Sequence, residues 1–312
     1  MRMSIVSNKL IKWTSTLIKH IAEIPFDEEL KTRYVKLPNG GVIFEDAKEN
    51  SEQVHAYRMV YQSGDHCVVG FLIEPRKKTG KMPCIIVNRG GSGEFGKITT
   101  ENIFSNLSRI ASWGYIVIAT QYSGNDGSEG KDEMGGADLA DVLTLHRLLK
   151  THPRADMSRI GMYGASRGGM MTYLCLARVK WMKAAIVVAG LADLFRQEKL
   201  RPEMVAHYKQ MFGGKRADLK KRSAVYWVDK FSKKTPVLLL HGSADWRVSP
   251  LDSLDMSREM LREKIPHRLV LLEGADHGLS EFRSLRFDMM RKWFDRFVRD
   301  REKLPNLKLH GD

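Results

Sequence analysis

Cysteine is scarce: the 312 residues hold three, Cys67, Cys84 and Cys175. An odd number without metal-type spacing argues against a disulfide-stapled scaffold and against a zinc ribbon. Each lies in an apolar stretch, which predicts free thiols and a reducing, cytoplasmic setting. Long apolar runs are missing too. Runs such as 184–189 and 237–240 fall far short of the roughly 20 residues that cross a bilayer, so no transmembrane segment is expected. The first 24 residues carry no unbroken apolar core of the kind a signal peptide has. Ile5, Leu10, Trp13, Leu17 and Ile21 instead recur at spacings of three to five, which predicts a helix packed on the domain surface.

Acidic residues are the minority, 37 against 51 Lys and Arg, for a formal charge of +14. Half of that excess falls in residues 191–235, with 12 basic and 5 acidic side chains. No zinc-finger, aromatic-basic RNA motif or long basic tract accompanies it. The reading is a solvated surface charge, without a nucleic-acid partner.

What is present is a rhythm. From Met82 onward, short Val/Ile/Leu runs at 84–88, 115–120, 159–163, 184–189, 237–240 and 268–272 alternate with helical patterns at 102–112, 138–150, 168–177, 251–262 and 281–298. Continuous apolar strands, each followed by a helix, predict a parallel sheet covered on both faces. Residues 33–44 and 56–74 alternate around turn signals and predict antiparallel strands at the N-terminal edge. One interval, Gly190 to Pro236, is too long for a single connection. It predicts a small helical cap over residues 191–235, with helices near 191–199 and 203–212. The expected organisation is an extension of helix and strand over 1–55, a catalytic domain over 56–300 and a tail over 301–312.

The strongest local signal is Gly161-Met-Tyr-Gly164-Ala-Ser166-Arg-Gly168-Gly169, a G-x-S-x-G set between a strand and a helix. A serine on such a strained turn is exposed above the sheet, and flanking glycines let the chain pass closely. Serine needs a base, and the base needs an orienting acid. In this arrangement the chain order is Ser, acid, His. Asp245 and His277 each follow a predicted strand, on the same edge as Ser166, and complete a triad. His241 also ends a strand but precedes the acid, so it is read as a structural partner. Oxyanion donors are expected from the backbone of Arg167 and of Gly91, with Gly90 as the alternative.

Together these residues resemble the prolyl oligopeptidase family of serine hydrolases, over about residues 56–298. The carriers are Gly90-Gly91, GASRGG at 164–169, HGSADWRVSP at 241–250 and EGADHGLS at 273–280, with Tyr122–Gly130 as a further likeness. The resemblance implies the α/β-hydrolase fold and supports the same triad and oxyanion donors. It also marks departures. Larger relatives carry an N-terminal β-propeller, for which the 55 residues ahead of the expected catalytic domain leave no room. Arg89 stands where many relatives have His or Tyr. No acidic pair for gripping a free amino terminus stands out, Glu133, Glu198 and Glu203 being unplaced.

The expectation is a cofactor-independent, metal-free serine hydrolase that cleaves an ester, amide or short peptide through an acyl-enzyme, leaning to a small peptidase. Trp246, Phe195 and Tyr208, with Met204, Met211 and Tyr226-Trp227, are the candidates to line the acyl pocket, and the basic cap is expected to favour a substrate carboxylate. The alternative is a non-catalytic binding protein with a basic surface. Nothing in the sequence predicts an oligomeric state.

Overall fold

The computed structural model describes residues 13, 15–34, 40–77 and 80–311. Nine strands form one sheet in the order β1-β2-β3-β5-β4-β6-β7-β8-β9. They are β1 Ile18–Glu23, β2 Val54–Ser63, β3 His66–Pro75, β4 Met82–Asn88, β5 Ile116–Thr120, β6 Ala155–Ala165, β7 Ala184–Val188, β8 Val237–Gly242 and β9 His267–Leu272. β4 to β9 are mutually parallel, and β1 to β3 join through antiparallel pairings. The central strands β4, β5 and β7 are buried at every position. That is why they read as unbroken apolar runs.

The helices are α1 Leu30–Tyr34, α2 Gly40–Gln53, α3 Thr100–Asn102, α4 Ser108–Ser112, α5 Leu139–Thr151, α6 Arg167–Leu176, α7 Leu194–Leu200, α8 Glu203–Phe212, α9 Arg216–Arg222, α10 Pro250–Arg262 and α11 Arg283–Phe294. A π-helical turn, Ile103–Leu107, joins α3 to α4. Two apolar cores result, one on each face of the sheet. The first contains α5, α6 and the cap residues Tyr208, Leu219 and Trp227. The second contains α4, α11 and the helix α2.

The front of the chain departs from the sequence expectation. Residues 18–23 are a strand, not the continuation of a helix, and Leu17 adds a carbonyl that accepts from Gln62 N–H. Pairing with the open edge of β2 outweighs the local helical period in this short stretch. The earlier part of that predicted helix, residues 1–12, lies outside the described residues. The strand expected at 33–44 is also overturned where it is described, residues 35–39 lying outside the described residues. Residues 30–34 and 40–53 are helical, and Phe44, Ala47, Asn50 and Ser51 form the buried face of α2. Spacings of three and four, rather than alternation, carried the signal there.

The segment between β7 and β8 folds into α7, α8, α9 and two 3₁₀ turns, Ala224–Tyr226 and Val228–Lys230. Asp193 caps α7, its carboxylate accepting from Phe195 and Arg196 N–H. Asp252 on α10 accepts from Ala192 and Asp193 N–H and pairs with Arg196, which ties the cap to the main body.

Candidate active site

β6 ends at Ala165 and α6 begins at Arg167, so Ser166 alone makes the turn. It does so at φ +57°, ψ −123°, a conformation that costs a non-glycine residue free energy. The flanking glycines make this possible. A Cβ on Gly164 would lie 2.0 Å from the Gly168 carbonyl oxygen, and one on Gly168 would lie 2.0 Å from the Asn88 carbonyl oxygen.

β8 delivers Asp245 and β9 delivers His277. Asp245 Oδ2 stands 2.7 Å from His277 Nδ1. Its Oδ1 accepts from the Arg247 and Val248 N–H groups at 2.8 and 3.0 Å. A carboxylate facing Nδ1 fixes the proton there and leaves Nε2 as a lone pair, the tautomer a base requires. His241 also reaches Asp245 Oδ2, through Nε2 at 3.1 Å, and its Nδ1 faces Ser253 Oγ at 2.7 Å. Since His241 Nε2 also faces the Val248 carbonyl at 3.1 Å, it carries the proton and Ser253 donates to Nδ1. Burial pushes the Asp245 carboxyl up, but the hydrogen bonds from His241 and His277, the His277 charge and the Val248 N–H outweigh it. The group is held well below the usual carboxylate range.

Ser166 and His277 share the wall of one cavity of about 220 Å³. Neither the Ser166 hydroxyl nor His277 Nε2 has a hydrogen-bond partner among the described residues, a spacing that free enzymes commonly show before substrate tightens it. Gly91 and Arg167 line the same cavity, and their backbone N–H groups are likewise without acceptors among the described residues. Gly91 has φ +69°, and a Cβ there would lie 2.0 Å from the Phe95 carbonyl oxygen. Only glycine gives this loop its shape. Arg89 does not line the cavity. Its guanidinium donates to the carbonyls of Gln121, Gly90, Phe95 and Gly93 and holds the loop from behind.

Of the expected pocket side chains Met204 lines this cavity, and Trp246, Phe195, Tyr208, Met211, Tyr226 and Trp227 do not. Tyr208 is fully buried and stacks on Phe212, while Phe195 packs edge-on to Tyr226 beneath Arg216. Trp246 is 66% exposed, with Arg201 and Arg247 against its ring. Beside Met204 the cap contributes Leu191, Gln197, Arg201 and His207. Burial, then the Arg167 charge, pushes the His207 imidazole down. Arg201 pairs with Glu203 at 2.8 Å, whereas Arg247 has no carboxylate partner among the described residues.

Sequence reasoning also missed the Arg167 side chain. Buried beside Ser166, it pairs with Asp132 and Asp138 and donates to Gly91 O and Ser92 Oγ, both at 3.0 Å. Nothing local to GASRGG announces this. Two aspartates six residues apart, 34 and 28 residues before Ser166, are unremarkable in a sequence.

Among the described residues no group of His, Cys, Asp or Glu has a metal-holding arrangement, and no helix is long and apolar enough to cross a membrane. The sequence pattern of the prolyl oligopeptidase family matches residues 101–301. A Bacillus subtilis protein named as an uncharacterised peptidase, YtmA, is 31% identical over 204 residues, 64% of this chain and 77% of that protein. Dipeptidyl-peptidase 5 of Porphyromonas gingivalis is 28% identical over 215 residues, 64% of this chain and 31% of that protein. The structure of Pyrococcus horikoshii acylaminoacyl peptidase superposes with a TM-score of 0.71 at 21% identity, over 87% of this chain and 46% of that one. The chain thus spans less than half of the latter two. With its α/β-hydrolase sheet and the match over residues 101–301, the chain belongs to the prolyl oligopeptidase family and is a serine hydrolase of the peptidase type.

Proposed function

We propose that Ser166 is the nucleophile, His277 the base and Asp245 the residue that orients and charge-balances the imidazole. Ser166 Oγ attacks the carbonyl of a short peptide or ester as its proton passes to His277 Nε2. The tetrahedral oxyanion is held by the N–H groups of Gly91 and Arg167. His277 then protonates the leaving amine or alcohol, and later takes a proton from the water that frees Ser166. The observation that carries this reading is the Asp245–His277 pair beside an unpartnered serine hydroxyl on a strained elbow. Cytoplasmic residence is part of the proposal and rests on the cysteine usage.

The same reading assigns the substrate a negative charge. Arg201 and Arg247 line the cavity and no Asp or Glu does. Glu133, Glu198 and Glu203, the sequence's candidates for gripping an amino terminus, are spent on Ala137 N–H, Arg216 and Arg201. A peptide or acyl group bearing a carboxylate fits such a wall, and a free ammonium does not.

Turnover of p-nitrophenyl esters of graded length and of aminoacyl p-nitroanilides, beside Ser166→Ala, tests the assignment. Hydrolysis abolished by the substitution is expected. Residual hydrolysis at the wild-type rate in Ser166→Ala would exclude Ser166 as nucleophile.

A further inference from the structure

A second cavity of about 220 Å³ adjoins the oxyanion loop through Gly90. Neither Ser166 nor His277 lines it. Its polar wall consists of Asn88, Asn102, Asn106, Tyr163 and Arg286, with Arg89 beside them, and no carboxylate contributes.

Arg286, on α11, is the centre of the argument. Its Nη1 donates to the Gly278 carbonyl at 2.6 Å. Its Nε is buried without a partner, and no carboxylate lies within ion-pair distance among the described residues. Arg283, whose charge also reaches it, repels it. Asp276 attracts it more weakly and is held by the N–H groups of Gly278 and Ser280, and the Phe287 ring lies 4.7 Å from the guanidinium without neutralising it. Burial pushes this guanidinium down, against Tyr163 and Asp276 and with Arg283 acting in the same direction as burial. Buried charge without a counter-charge is costly, and water satisfies the hydrogen bonds but not the charge.

The remaining lining groups add donors. Asn102 and Asn106 stand four residues apart across the π-helical turn, a distortion frequent at binding sites. Neither carboxamide has a partner among the described residues, and the Tyr163 hydroxyl has none either. A guanidinium with its Nε unpartnered, two unpartnered carboxamides and an unpartnered phenol thus meet at one cavity.

We propose that this cavity is a binding site for a small free oxyanion, a phosphate or carboxylate, neutralised by Arg286 and hydrogen-bonded by Asn102, Asn106 and Tyr163. The ion is a separate ligand and not part of the bond being cleaved, since the triad does not reach the cavity wall. It sits between two parts of the catalytic apparatus. Arg286 holds the carbonyl of the residue after His277, and Gly90 opens the oxyanion loop. An ion there braces both.

The test is thermal unfolding of the intact protein titrated with inorganic phosphate or acetate, at fixed ionic strength, in a buffer free of other small anions. Arg286→Met removes the charge. Asn106→Leu removes a donor and leaves the Arg286–Gly278 bond in place, which guards against simple misfolding. The expected result is a saturable rise in Tm of at least about 2 °C for the wild type. The rise should be lost in Arg286→Met, with half-saturation moved up at least tenfold in Asn106→Leu. Equal rises in all three proteins, or no rise in the wild type with either anion, would overturn the proposal. Because the readout is binding, it stands or falls independently of which substrate is hydrolysed.

Discussion

The guanidinium of Arg167 meets the Asp132 carboxylate at two points, Nη1 to Oδ2 at 2.7 Å and Nη2 to Oδ1 at 2.5 Å. Arg167 is only 3% exposed, so this pair is buried beside the elbow. The same Nη1 donates to Gly91 O and Ser92 Oγ. One proposed oxyanion donor therefore carries a side chain that fixes the loop of the other. Arg167→Met keeps both backbone N–H groups but releases that loop, so kcat should fall at least tenfold with little change in KM, since the donors act mainly in the transition state. It also strands Asp132 and Asp138, at a cost of about 3–5 kcal/mol. Ester kinetics together with urea unfolding separate the two effects, and an unchanged kcat in the folded variant would remove the bracing role.

Asp245→Asn should lower kcat by three to four orders of magnitude, roughly the loss expected when an orienting carboxylate becomes an amide that permits the wrong tautomer. A pH dependence follows from the same carboxyl. Its folded-state pKa lies below the ordinary value, so the unfolded chain binds the proton more readily. Stability from this group is then fully present above about pH 4 and is lost as pH falls through the lower folded value. The gap in Tm between wild type and Asp245→Asn should be widest near neutrality and narrow steadily below about pH 4. A constant gap across that range would show that Asp245 is not held ionised by its neighbours.

The parallel half of the fold was legible in the sequence because a buried parallel strand has no polar face to disguise it. β4 and β7 appear in the sequence as plain apolar runs, and the predicted cap helix at 203–212 coincides with α8. The front end was not. β1 is recruited by the free edge of β2, a tertiary event, and Gly40-Gly41 begins a helix where the composition suggested a hairpin turn. That Ser166, Asp245 and His277 come to one edge of the sheet was legible because each follows a strand. The pocket was not. Which faces of α7 and α8 turn toward Ser166 depends on how the cap docks, and that docking runs through Asp252, 60 residues away.

The elbow glycines can be tested for shape alone. Gly168→Ala places a methyl group against the Asn88 backbone carbonyl, an atom that moves only with the end of β4 and the oxyanion loop after it. Overpacking of this kind costs about 1–3 kcal/mol even where side chains yield. A loss of Tm and of activity together is expected, while Ser166→Ala should lose activity and keep the wild-type Tm within about 2 °C. Retention of full activity by Gly168→Ala would mean the elbow is looser than its geometry implies.

Arg247 offers the sharpest test of substrate charge. It lies against the rings of Phe95 and Trp246, which orient the guanidinium without neutralising it. Arg201 on the cap is the second cation but already shares its charge with Glu203. For a matched pair of p-nitrophenyl esters, one ending in a carboxylate and one in its methyl ester, kcat/KM should favour the acid by about tenfold, the effect of roughly 1.4 kcal/mol from one charge-assisted hydrogen bond. Arg247→Met should abolish most of that preference through KM, leaving turnover of the neutral ester within about twofold. Arg201→Met should reduce it less, because Glu203 already offsets part of that charge. The preference should also weaken as salt is raised, the cavity being open to solvent. Equal rates for the two esters in the wild type would leave the electropositive wall without a role in substrate selection, and loss of both rates in Arg247→Met would make the arginine a support for Asp245 instead.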